Sequence, residues 1–189
     1  MTRIAALATL LLVSVGCQAS DPPPDRAPDE VALSATDTDG KAQDIDALLE
    51  QGETVALVFW QTWCESCKDE APTIQAAAKS EVGQIHFVGV IPGKTGTVNE
   101  EEVAQTRKAW GYEFPQVRDS DMTWTHALGV KGTPTIVVLG KGRKVLYHEH
   151  RPPSDWSKFV EVKQDESGAP AKPECKDGVC PLPGGFDNP

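Results

Sequence analysis

The stretch Phe59-Trp60-Gln61-Thr62-Trp63-Cys64-Glu65-Ser66-Cys67-Lys68-Asp69-Glu70-Ala71-Pro72 decides how this chain of 189 residues is read. It overlaps an almost continuously apolar run, Thr54 to Trp60, of the kind a strand covered on both faces requires. A helix is expected from about Glu65 to Ser80, so Cys64 stands at a strand-to-helix junction. A cysteine there meets unpaired backbone N–H groups and the positive end of the helix dipole, and both favour its thiolate. Two intervening residues bring Cys67 back within disulfide reach on the first helical turn. Cys64 is then the attacking thiol and Cys67 the resolving one. Pro72 is expected to kink the helix and leave its first turns as a separate, well-oriented piece.

A C-x-x-C pair can also be half of a zinc site, but zinc needs further ligands. Cys175 and Cys180 have a different spacing and lie in the tail, and no histidine pair shows finger spacing. Neither a metal nor a cofactor is expected. Trp60 reads as core, whereas Trp63, directly before the nucleophile, reads as a shield for the disulfide. His148 and His150 alternate on a strand and would share one face, which resembles a metal pair but reads as an ordinary surface or edge strand. Arg107, Arg118 and Arg151 read as solvated charges.

Working outward, Val31 to Ala35 is a short strand candidate stopped by the turn-forming Asp37-Thr38-Asp39-Gly40. Asp44 to Leu49 suggests a short helix. His86 to Ile91 is a second apolar strand, and Thr97 with Glu100 makes a capping-box pattern opening a helix to about Trp110. A shorter helix is expected over Asp121 to Leu128. Thr135 to Leu139 is a third buried strand, turned by Gly140 to Arg143 into Lys144 to His150, and Ser154 can cap a last helix through Val162. Crossover helices make the three apolar strands parallel candidates, and the glycine turn makes the last pair antiparallel. The fold class is α/β, a mixed central sheet flanked by helices, with an N-terminal strand extension.

The run Trp-Cys-x-x-Cys-Lys-x-Glu-x-Pro resembles the thioredoxin superfamily, especially its exported TlpA/ResA-like reductases. The resemblance covers roughly Val31 to Val162 and implies a thioredoxin-like fold. It recurs at Gly129-Val130-Lys131-Gly132-Thr133-Pro134-Thr135, where family members carry a cis-proline packed against the active-site disulfide. Pro134 matches it, and with Trp63 and Thr133 it would bind a substrate strand. Glu70 matches a glutamate of the subgroup; sharing a helix face with Cys67, it could accept the proton Cys67 loses on resolution. Two positions depart from the subgroup: Glu65-Ser66 between the cysteines, where Glu-Pro is usual, and Thr133 before the proline, where an aliphatic residue is usual.

The ends are unlike a core. Met1-Thr2-Arg3 and the apolar Ile4 to Val15 have the pattern and length of a signal peptide, too short to span a bilayer. Ser14-Val15-Gly16-Cys17 resembles a bacterial lipobox, which implies a signal at 1–16 and lipidation of Cys17; cleavage after Ala19 is the alternative. Gln18 after that cysteine goes, in Gram-negative lipoproteins, with the outer membrane. Residues 17–30 read as a Pro-rich tether with nothing to bury, 31–163 as the thioredoxin-like domain, and 164–189 as a disordered tail. In the tail, Asp177-Gly178 can turn Cys175 back onto Cys180 as a small disulfide, a second redox pair or a soft-metal thiolate site.

A formal net charge of −10 argues against nucleic-acid binding. The expectation is an exported thiol-disulfide oxidoreductase that faces the periplasm and reduces disulfides of client proteins. The resemblance implies electrons from a membrane thiol carrier. An oxidase or isomerase is the alternative within the class. A copper metallochaperone would place three residues between the cysteines. A peroxiredoxin-like antioxidant protein would carry Pro-x-x-x-Thr-x-x-Cys, absent here.

Overall fold

The computed structural model describes residues 22–160 apart from positions 82 and 95. The expected signal at 1–16, Cys17, and the tail with Cys175 and Cys180 lie outside the described residues. In chain order the elements are β1 (Ser34–Thr36), β2 (Ala42–Asp44), α1 (Ile45–Glu50), β3 (Thr54–Phe59), α2 (Glu65–Ser80), β4 (Ile85–Pro92), α3 (Glu100–Trp110), β5 (Gln116–Asp119), α4 (Thr123–Ala127), β6 (Thr135–Gly140) and β7 (Lys144–Glu149). Five strands form one mixed sheet in the order β5-β4-β3-β6-β7, and β1 pairs with β2 as a separate hairpin.

The central strand is buried at every residue because both faces are covered. Ala56 and Val58 pack with Ile74 of α2 and Val103 of α3 on one face. Val55, Leu57 and Phe59 pack with Ile45 and Leu49 of α1 and with Leu128 on the other. Each fully buried aliphatic side chain of this kind contributes about 1.5–3 kcal/mol. The helices therefore sit on both sides of the sheet, as the α/β reading requires.

The sheet corrects two expectations. β5 was not anticipated; it extends the sheet parallel to β4, with Gly89 opposite Gln116. β6 runs antiparallel to β3, with Phe59 opposite Thr135, whereas a parallel partner was expected. The reason is length. The five residues of α4 rise only about 7.5 Å, too little to carry the chain back along the sheet, so β6 starts from the end where β5 stops.

Two ends differ as well. Asn99, not Thr97, caps α3 by accepting the N–H groups of Glu101 and Glu102, while the Thr97 hydroxyl donates to the Lys94 carbonyl. Ser157–Phe159 is a short 3-10 turn held by Asp155, so Ser154 opens no longer helix there. The hairpin turn is built on Asp37, whose carboxylate accepts from the N–H groups of Asp39 and Lys41 and from the Gln43 amide. Burial pushes the Asp37 carboxyl up, but those three donors outweigh it and hold it below the usual range.

Part of the expected tether is docked. The Val145 N–H donates to the Asp25 carbonyl and the Ala27 N–H to that of Arg143. Arg26 stands antiparallel to Lys144, and Ala27 is 1% exposed. A β-carbon at Gly129 (φ +66°) would stand 3.1 Å from Pro24 Cδ, so a bare backbone there admits the segment. Two arginines read as solvated are also engaged. Arg107 joins Asp39 to the Tyr112 carbonyl, and Arg118 joins Glu100 to that of Ile91.

Candidate active site

The redox loop starts where β3 ends. The Cys64 N–H donates to the Gln61 carbonyl, which turns the chain into α2. Cys64 is the N-cap of that helix, in extended backbone (φ −87°, ψ 100°). Its Sγ accepts the Cys67 N–H at 3.1 Å, so sulfur fills the place an oxygen takes in ordinary capping. Cys64 and Cys67 are joined as a disulfide of 2.06 Å. Cys67 is fully buried and Cys64 is 6% exposed, so what access there is falls on Cys64. α2 continues unbroken through Pro72, which lacks the N–H that would pair with the Lys68 carbonyl.

The second half of the site arrives on the neighbouring strand. Phe59 and Thr135 are register partners, so the next residues along, Trp60 and Pro134, stand at the same end of the sheet. The Thr133–Pro134 bond is cis, and Pro134 is buried. The backbone amide and carbonyl of Thr133 have no partner among the described residues. The two motifs, some seventy residues apart in the chain, thus meet at one pole.

A groove opens on each side. One, of about 350 Å³, is lined by Trp63, Cys64, Glu65, Lys68, Ala109 and Trp110. Trp63 is 75% exposed, so it forms an open apolar wall rather than a lid over the sulfurs. The other, of about 370 Å³, is lined by Ser66, Asp69, Glu70, Thr133, Pro134, His150 and Arg151. Glu70 is half-buried there. Burial, then the nearby Glu70 carboxylate, push the Tyr112 phenol well above its ordinary range. Glu65 lies 3.7 Å from Lys68, both exposed, so the acid charge beside Cys64 is partly offset.

Trp60 is fully buried, as expected of core, against Trp110 and Tyr112 at ring separations of 5.2 and 5.7 Å. Its Nε1–H donates to Gln116 Oε1 at 2.8 Å, and the Gln116 amide donates to the Phe114 carbonyl. The buried Gln116 amide, which anchors the residue that leads into the redox loop, gave no signal in the sequence. The Gln61 amide donates to the Pro92 carbonyl, tying that loop to the end of β4. The two histidines do not converge: His148 Nε2 is bonded to the Leu128 carbonyl and His150 Nδ1 to that of Pro134. Among the described residues no group of three or more His, Cys, Asp or Glu could hold a metal ion.

The Redoxin family model matches residues 20–164 of the chain. The chain belongs to the Redoxin family. It is 34% identical over 113 residues to the thiol-disulfide oxidoreductase ResA of Bacillus subtilis, covering 58% of this chain and 59% of that one. It is 31% identical over 120 residues to a thioredoxin-like protein of Haemophilus influenzae, covering 63% and 68%. The solution structure of a putative thioredoxin from Neisseria meningitidis superposes with a TM-score of 0.57 at 28% identity, covering 68% of this chain and 82% of that one. This Redoxin domain has the thioredoxin-like fold that the two motifs implied. It carries the Cys64–Cys67 disulfide at a helix start, at the same end of the sheet as the cis-proline segment.

Proposed function

We propose that the protein reduces disulfides of client proteins outside the cytoplasm through Cys64 and Cys67. The carrying observation is a redox disulfide at a helix N-terminus whose Cys64 sulfur already accepts a backbone N–H. In the reduced protein the Cys64 thiolate attacks one sulfur of a client disulfide. The client's first thiolate leaves and a mixed disulfide forms. Cys67 then gives its proton to Glu70 and attacks the Cys64 sulfur, releasing the second client thiolate and restoring the observed disulfide. Two electrons from a thiol donor reset the pair. Trp63, Thr133 and Pro134 bind the client, Thr133 by pairing its free backbone groups with an extended strand. Trapping of a mixed disulfide tests the scheme.

The same reading places the protein in the cell envelope facing the periplasm, exported by residues 1–16, lipidated at Cys17 and reduced by a membrane thiol carrier. The lipobox-like sequence supports the anchor, and Gln18 supports the outer membrane. Cys175 and Cys180 form a small tail disulfide in this reading. Labelling with a radioactive fatty acid, compared between the native chain and Cys17→Ala, tests the anchor. Lys68 beside Cys67, a cation that favours thiolate, supports the alternative of an oxidase or isomerase.

A further inference from the structure

His150 follows directly on the last residue of β7. The ladder between β6 and β7 ends with Ile136 opposite Glu149. One step beyond, the His150 side chain bonds where the ladder has stopped. Its Nδ1 lies 2.8 Å from the Pro134 carbonyl and 3.1 Å from Thr135 Oγ1. A carbonyl can only accept, and the Thr135 hydroxyl hydrogen is directed to the Gly132 carbonyl at 2.7 Å. Nδ1 therefore carries the ring hydrogen, assigned from its partners, and shares it between the two oxygens. Nε2 has no partner among the described residues.

The segment held in this way has little else to fix it. Lys131 and Gly132 are exposed, and nothing stands within 4 Å of where a β-carbon of Gly132 would be. From Thr135 onward, by contrast, β6 is bonded on both sides. Thr133, whose backbone groups are free, lies between the tethered Gly132 and Pro134. The imidazole thus closes a short bracket around the residue that meets the client, and it lines the same groove as Ser66, Glu70 and Pro134.

We infer that His150 is a positioning residue for client disulfides, holding the Gly132–Thr135 segment so that Thr133 presents its backbone to an extended client strand. The inference rests on the proposed reductase reading. A residue acting in this way affects capture of a polypeptide and leaves the sulfur chemistry alone. A small aromatic disulfide, which has no strand to pair, should not sense it.

The full chain, with His150→Ala and His150→Asn, is assayed on a disulfide-bonded peptide and on 5,5′-dithiobis(2-nitrobenzoate). His150→Ala should raise KM for the peptide about tenfold, the scale of one or two lost hydrogen bonds, with kcat within about twofold. The small disulfide should react at the native rate. His150→Asn, whose amide can donate from nearly the place of Nδ1, should return KM to within about threefold of native. If His150→Ala loses its fold, His150→Phe keeps the ring volume without the donor and takes its place. Native KM in the donorless variant, equal loss on both substrates, or no rescue by a folded His150→Asn would overturn the inference. A native protein that reduces no peptide at all would instead remove the reductase reading.

Discussion

The Cys64 sulfur accepts the backbone N–H of Cys67 at 3.1 Å. The same hydrogen bond stabilises negative charge on Cys64 once the disulfide is reduced, in concert with the helix dipole. Cys67 itself is fully buried and lies one turn in. Replacing Cys67 with Ser should therefore trap a client on Cys64 as a mixed disulfide, visible on a non-reducing gel. Trapping by Cys64→Ser instead would reverse the roles.

Glu70 shares the groove of Pro134 and lies one helical turn after Cys67. Glu70→Gln should slow resolution at neutral pH by about tenfold to a hundredfold, within the range expected for a general base. The mixed disulfide should accumulate. The deficit should shrink as pH rises far enough for the buried thiol to ionise unaided. A stopped-flow pH profile of the two steps checks this.

The charges around Cys64 are mixed but acidic in balance, with Lys68 close to Glu65 and with Asp69 and Glu70 on the same helix. The pair should have a potential near about −270 mV, the thioredoxin end of the range, and not near about −120 mV. Equilibration against dithiothreitol buffers measures it. A value above about −150 mV would make the protein an oxidant.

A β-carbon at Gly89 would stand 1.9 Å from Gln116 Oε1, the acceptor for Trp60. Gly89→Ala should displace that amide and leave a buried indole N–H unpaired, costing about 2–4 kcal/mol. Urea unfolding should show a lower midpoint with the slope unchanged.

Asp37 offers a test in acid. Its folded-state carboxyl is held below the usual range, so its contribution is complete above the unfolded value of about 3.9. That contribution is lost as pH falls through the lower folded value. Asp37→Asn should be less stable than native at pH 7, and the difference should narrow below about pH 4. Thermal melts across that range measure the crossover.

The parts legible in the sequence were those written in apolar runs and local spacing. α2 begins and ends where the sequence placed it, at Glu65 and Ser80, and Pro134 is found at the pole of Cys64. β5 was hidden because two of its three buried residues, Gln116 and Asp119, are polar and only Val117 is apolar. Asp119 accepts from the N–H groups of Trp124 and Thr125 and from the Thr125 hydroxyl, and Gln116 accepts from Trp60. Buried side-chain hydrogen bonds of this kind leave no hydrophobic period to read. His150 lies exposed at the end of the edge strand, as read, but its bond was not legible because the partner carbonyl is 16 positions earlier in the chain.

The docked N-terminal segment changes the length of any leash. Because it lies antiparallel to Lys144 at the start of β7, the chain followed backwards from Ala27 to Pro23 advances toward the end of the sheet that carries Cys64. The thirteen extended steps from 17 to 30 would have let the domain drift about 40 Å from an attachment at Cys17. With the strap seated, only the six steps from Cys17 to Pro23 remain, at most about 20 Å. Under the proposed lipid anchor at Cys17, the domain would keep its sulfurs facing the surface that holds it, within reach of any partner embedded there.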